Sequence, residues 1–244
     1  MLAVLLMLLV GALFVADRIA AGMAEDRIAQ ETKKALVDKK VSFAGEPDVS
    51  VTGFPFLTQV LDGKYKKITI VINQPEINQV KLNALQVEAR AVRADARSMM
   101  NGTGEVIAGE VSGIGTMSWE NVRPLLELAG LPSTIDPAQV ELTVVNNKVV
   151  IRVPLTYQGF KFALIAKGSM IVEQGKVRLK LEELASDQGS APKVLQDLIK
   201  RFGDRLQVTL RLPGLPYNLV INKVESSDAG LLVIASAKDV KLNS

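Results

Sequence analysis

Beyond Val41 the chain is dominated by period-two alternation, which constrains its fold more than any other feature. Val177, Leu179 and Leu181 alternate with Lys176, Arg178 and Lys180. Leu206, Val208 and Leu210 alternate with Arg205, Gln207, Thr209 and Arg211. Phe160, Phe162 and Leu164 alternate with Lys161 and Ala163. Successive side chains of a strand point to opposite faces, so these runs predict antiparallel strands with one dry and one wet face. Turn signals separate them: Asp62-Gly63, Asn101-Gly102, Asn146-Asn147, Gln174-Gly175 and Asp228-Ala229-Gly230. Two runs, Ile68–Ile72 (ITIVI) and Leu142–Val145 (LTVV), are apolar at both parities and predict strands covered on both sides.

Helical signals are fewer. Met1–Ala16 carries no charge, and Asp17-Arg18 and a second apolar stretch, Ile19–Ala24, follow. The uncharged run is shorter than the roughly 20 residues of a spanning helix. It has the character of a signal-peptide core, although no Lys or Arg precedes it, and Gly22-Met23-Ala24 offers a small-x-small cleavage site. Residues 1–24 therefore read as a signal peptide or an N-terminal membrane anchor, with a buried core helix as the alternative, and 25–244 as a single domain. On this reading a chain lacking Met1–Ala24 folds by itself. A loose apolar stripe through Ile19, Met23, Ile28, Ala35 and Leu36 predicts a helix from about Ile19 to Lys39. Ser118 is an N-cap for a helix presenting Trp119, Val122, Leu125, Leu126 and Ala129, stopped by Gly130 and Pro132. Val194, Leu195, Leu198, Ile199 and Phe202 predict another helix over Ala191–Asp204. Long strands joined by short turns, with a few covering helices, indicate one α+β domain built on a long, curved antiparallel sheet.

Composition removes most chemistry. The 244 residues include no cysteine and no histidine, so there is no disulfide, thiol nucleophile, imidazole base or Cys/His metal site. The net charge of +3 is too small for a nucleic-acid partner. Gly102-Thr103-Gly104 and Gly113-Ile114-Gly115 lack the third glycine of a dinucleotide loop, and Gly175-Lys176 is no phosphate loop. The carboxylates are scattered among lysines, and no catalytic residue, metal or cofactor is expected.

One stretch concentrates apolar bulk at a reversal. In Gly53-Phe54-Pro55-Phe56-Leu57, a strand runs into a short helical turn over Leu57–Leu61 that Asp62-Gly63 ends. Leu212–Tyr217 (LPGLPY) is a second rigid apolar cluster between strands, with an amphipathic tyrosine at its tip. Phe54, Phe56, Leu57, Val60, Leu61, Trp119, Leu215 and Tyr217 are thus the candidate lining of an apolar groove, with a hydrophobic plug as the alternative. Arg90, Arg93, Arg97, Lys64, Lys66 and Lys67 are basic residues available to an anionic surface.

The same residues carry a resemblance. Gly53–Thr58 (GFPFLT) followed by Gly63 and Tyr65, then Gly115–Trp119, Leu212–Tyr217 and the closing strand Gly230–Ala237, is similar in content and order to the LmeA-like phospholipid-binding proteins of the bacterial cell envelope. The resemblance implies a tubular lipid-binding fold, with a curved antiparallel sheet wrapped around a long helix and enclosing an apolar groove. It implies non-enzymatic binding of membrane phospholipid outside the cytoplasmic membrane, in the periplasmic space, by a protein anchored or secreted through its N-terminal segment. Support of envelope lipid or lipoglycan biogenesis would follow, with the membrane surface and envelope biosynthetic enzymes as partners. A scaffolding role for such enzymes and a lipid or glycan hydrolase are the alternatives.

Overall fold

The computed structural model describes residues 2–77, 80–94, 104–127, 139–157, 160–187, 207–210, 215 and 218–242. The expected 191–204 helix, the Asn101-Gly102 turn and Tyr217 lie outside them.

The expected class, α+β, holds. The N-terminal apolar run and the helix after it are one 37-residue element, α1 (Leu2–Asp38). No glycine, proline or turn residue interrupts the backbone ladder at Asp17-Arg18, so the helix runs through. It ends where Lys40 takes a left-handed φ of 56°. The Val41 N–H then returns to the Leu36 carbonyl and the Lys40 N–H to Val37, satisfying carbonyls that the last turn orphans.

The strands form two sheets where the sequence predicts one. The seven-stranded sheet has the order β1 (Ser42–Thr52), β2 (Lys64–Ile77), β4 (Ala84–Ala94), β5 (Val106–Met117), β12 (Gly230–Lys241), β11 (Val220–Ser227), and the short β3 (Val80–Lys81) pairs with β2. Between β5 and β11 the chain builds a five-stranded meander of β6 (Glu141–Val145), β7 (Lys148–Tyr157), β8 (Phe160–Glu173), β9 (Lys176–Ser186) and β10 (Gln207–Thr209). All pairings are antiparallel. Alternation fixes the pairing partners of a strand only locally, so it does not distinguish one sheet from two. Asn146-Asn147 and Gln174-Gly175 turn with positive φ at both positions, the geometry that matches strand twist in tight hairpins.

Side-chain orientation follows the sequence unevenly. Val177 and Leu179 are fully buried as predicted, and so is Leu210. On β8, Ala163 and Ala166 are buried while Phe162 and Leu164 are half-buried, so both faces of that strand are partly covered. Leu142–Val145 forms the edge strand β6 and Val145 is exposed, so the expected cover on both sides is missing there. The two sheets share a core. Val177, Leu210, Met170 and Leu142 from the meander pack with Met117, Ile221 and Leu231 from the larger sheet. Helix α3 (Trp119–Glu127) fills this junction with Val122 and Leu125, and the Val122 N–H bonds the carbonyl of the predicted cap residue, Ser118.

An irregularity crosses four strands of the larger sheet. Lys66 of β2, Ala91 of β4, Gly109 of β5 and Asp239 of β12 are skipped by their ladders, although the pairs on either side keep a constant register. Ala91 and Asp239 have positive φ (49° and 50°). A Cβ on Gly109 would stand 3.2 Å from the Ala91 methyl, so the small residue lets the two backbones stay adjacent. Alternation slips by one at this line on every strand. Tyr65 and Ile68 share a face, as do Val92 and Ala89, Ala108 and Val111, and Val240 and Ala237. The break reverses the pleat along one line without adding a residue to any strand.

The opposite face carries charge. Glu88 is buried there between Arg90 (2.8 Å) and Lys67 (3.8 Å), with Gln86 as a further donor. The Arg90 hydrogen bond outweighs the cost of burial and holds the Glu88 carboxyl below its usual 4.5. A carboxylate with a depressed folded pKa stabilises fully above its unfolded value and loses that contribution as pH falls through the folded one. Glu88→Gln is therefore expected to lower the urea midpoint at pH 7, and the gap to the parent should close as pH falls below 4.5. An equal gap at pH 7 and pH 3 would mean that the ion pairs contribute nothing.

Candidate lipid-binding cavity

Helix α2 (Phe56–Asp62) positions the site's edge. Pro55 precedes it and offers no capping side chain. The missing acceptor comes from another element: the buried Asp17 of α1 accepts the Leu57 N–H at 2.8 Å while bonded to Arg18 at 2.7 Å. Glu25, two turns on, accepts the Val51 N–H at 2.7 Å and ties α1 to β1. Around these polar ties Ala20, Ala21, Ala24 and Ile28 pack on Val51, Phe56, Val60 and Tyr65. Gly53 is required at the corner, because a Cβ there would come within 2.6 Å of the Gln59 amide and its φ is 129°. Gln59 in turn accepts the N–H of Lys66, the residue its ladder skips.

Helix α1 thus rests on β1 and α2, and an apolar cavity of about 540 Å³ opens between it and the rest of the sheet. Its walls are Ala24, Arg27 and Ile28 of α1, Val51 of β1 and Phe56 of α2. The sheet adds Tyr65, Ile68 and Ile70 of β2, Val87, Ala89, Val92 and Ala94 of β4, Val106 and Val111 of β5, and Leu242. That volume falls within the range of small-molecule sites. The lining comes from both sides of the break in the pleat, which turns residues of opposite parity toward one space. Arg27 and Tyr65 are the polar members. Arg27 is exposed and makes no ion pair among the described residues, while burial pushes the Tyr65 phenol up.

The candidate residues separate into distinct places. Phe56, 5% exposed, lines the cavity, and Val60 packs beside it. Phe54, Leu57 and Leu61 lie on the outside, at 58%, 39% and 86% exposure. Trp119 is half-buried in the core between the sheets, its Nε1 donating to the Ser227 carbonyl at 2.9 Å, and Leu215 packs on the same core. Tyr217 lies outside the described residues. Of the basic candidates, Arg90 and Lys67 pair with Glu88 on the far face of the sheet, and Arg97 lies outside the described residues. The sequence reading missed the sheet contribution and Arg27. Its one available signal was the in-phase run Val87, Ala89, with Ile68 and Ile70 on the neighbouring strand.

Because Phe56 is buried and Phe54 only meets the Phe14 ring and the Arg18 guanidinium, Phe56→Ala is expected to cost about 3–5 kcal/mol and Phe54→Ala about 1 kcal/mol. Urea unfolding of both variants in the same buffer checks this, and equal losses would contradict the packing described.

The profile of LmeA-like phospholipid-binding proteins matches residues 15–236, nearly the whole chain. The chain belongs to the LmeA-like phospholipid-binding family. It matches no curated protein and no solved structure. The family match begins just before Asp17, so the segment of α1 that docks on α2 belongs to the family's common region.

Proposed function

We propose that this LmeA-like protein holds the acyl part of a phospholipid in the cavity between α1 and the larger sheet, with the headgroup at Arg27. The observation that carries this reading is the cavity's amphipathic design: aliphatic walls and, at the edge, the Arg27 guanidinium, which makes no ion pair among the described residues. Each acyl methylene removed from water contributes about 0.8 kcal/mol, so a few buried carbons outweigh the cost of ordering a chain. A charge at the edge remains solvated and adds attraction for an anionic headgroup. The binding is non-enzymatic, needing only apolar walls, one cation and no reacting group.

The setting we infer is the outer side of the cytoplasmic membrane, with α1 as a retained anchor. Helix α1 is long and apolar enough to cross a membrane, and its exposed side chains from Met7 to Val15 would face water otherwise. Carriage of lipid between envelope enzymes is the physiological role this reading supports. A scaffolding role would leave the cavity empty.

The test is photo-crosslinking of the full chain in anionic vesicles containing a phosphatidylglycerol with a diazirine in its acyl chain. Crosslinks are expected on the peptides bearing Ile70, Val87 and Val106, beyond reach of the bilayer. Crosslinks confined to α1 before Asp17 would overturn the reading.

A further inference from the structure

Three of the exposed apolar side chains sit together at one end of the molecule, and α1 sets their height. The ring of Phe54 meets that of Phe14, in the apolar run, at 5.5 Å between centroids. The Arg18 guanidinium lies 5.6 Å over the same Phe54 ring. The Leu57 N–H is bonded to Asp17, the residue at which the apolar run ends. Phe54 and the first turn of α2 are therefore level with the boundary between the apolar and charged parts of α1. Within α2, Phe56, Gln59 and Val60 turn toward the domain. Leu57 and Leu61, four residues apart on one helical face, turn away from it.

The surroundings are cationic. Arg18, Lys64, Lys66 and Arg93 are exposed around this turn, and Lys64 and Arg93 stand on paired positions beside Leu61. Lys64, Lys66 and Arg93 form no ion pair among the described residues. Asp62 and Glu105 are the opposing charges near Leu61, and Glu105 is paired with Lys241. Apolar side chains ringed by basic ones are the composition of a surface that lies in the interface of an anionic bilayer.

We propose that Phe54, Leu57 and Leu61 form a foot seated in the bilayer surface beside α1, so that the domain stands on the membrane at a fixed height. The occupant is the lipid bilayer because the patch is continuous with the apolar run through the Phe14–Phe54 contact. A free tether would leave these side chains in water, whereas two attachment points hold the domain in one orientation. The proposal rests on the anchored reading of α1 and is independent of what fills the cavity.

The absence of native cysteine makes the test clean. Single cysteines are introduced in the full chain as Leu61→Cys, Leu9→Cys and Val145→Cys and labelled with a nitrobenzoxadiazole dye. The proteins are reconstituted in phosphatidylcholine/phosphatidylglycerol vesicles containing doxyl-labelled phosphatidylcholine. The expected result is a blue-shifted Leu61→Cys label quenched several-fold more strongly than the Val145→Cys label, which reads as aqueous. A quenched Leu9→Cys label with an aqueous Leu61→Cys label would overturn the foot and leave the anchor standing. A blue-shifted Leu61→Cys label that lipid-borne doxyl does not quench would show a protein contact and overturn it too. An unquenched Leu9→Cys label would overturn the anchor and the foot together.

Discussion

A chain that begins at Glu25 is expected to lose the native packing of α2 and β1, whereas one that begins at Asp17 keeps it. The sequence alone put the start of the folded domain at residue 25. We propose 17 instead, because Asp17 and Ala21 are 2% and 3% exposed: Asp17 caps α2, and Ala21 belongs to the core around Phe56. Removing them takes away the acceptor for the Leu57 N–H, worth about 1 kcal/mol as a helix cap. It also uncovers Phe56 and Val60, whose burial against Ala20, Ala21 and Ala24 contributes more. A loss of several kcal/mol is a large share of the roughly 5–15 kcal/mol that keeps a domain folded. Thermal unfolding by circular dichroism, compared between chains 17–244 and 25–244, reads the difference. Identical transitions would return the boundary to residue 25. A peptidase cutting after Ala24 would make the same change in the cell, which favours retention of the helix.

Filling the cavity is expected to abolish acyl crosslinking without unfolding the protein. Val87 is half-buried and faces the open space between α1 and the sheet. In Val87→Trp the indole enters existing volume, so the overpacking cost of a filled core does not arise. Crosslinking of the diazirine phospholipid to the cavity peptides should fall on the order of tenfold, a loss of about 1.4 kcal/mol in binding. Val145→Trp, on the exposed edge of β6, should leave it unchanged. Unaltered crosslinking in Val87→Trp, with an unaltered unfolding curve, would remove the cavity from lipid binding.

These expectations differ from what the sequence supports by itself, and the reason is specific. The sequence marks the reversal at Gly53–Asp62 correctly, down to the helical turn and the glycine that ends it. It treats Phe54, Phe56, Leu57 and Leu61 as equivalent because all four are apolar. Which of them faces the domain depends on where α1 docks, and that contact spans 40 residues of sequence between Asp17 and Leu57. The aliphatic walls were hidden in another way. A period-two reading assigns Tyr65 and Ile68 to opposite faces, as it does Ala89 and Val92. The break in the pleat through Lys66, Ala91, Gly109 and Asp239 turns each pair to one side.

Local rules of sequence were sufficient for the antiparallel class, the hairpins at Asn146-Asn147 and Gln174-Gly175, the helix opening after Ser118 and the family. Each depends on neighbours in sequence: side-chain alternation, positive φ at turn residues, a cap, or a short run of particular residues. Tertiary structure alone decided that the strands form two sheets, that α1 runs unbroken from the apolar segment into the domain, and that Arg27 stands at the edge of an apolar cavity. Those outcomes depend on hydrogen bonds and apolar contacts between residues far apart in the chain. Many pairings satisfy the same local pattern, and only the packing of α1 against β1 and α2, and of one sheet against the other, selects among them.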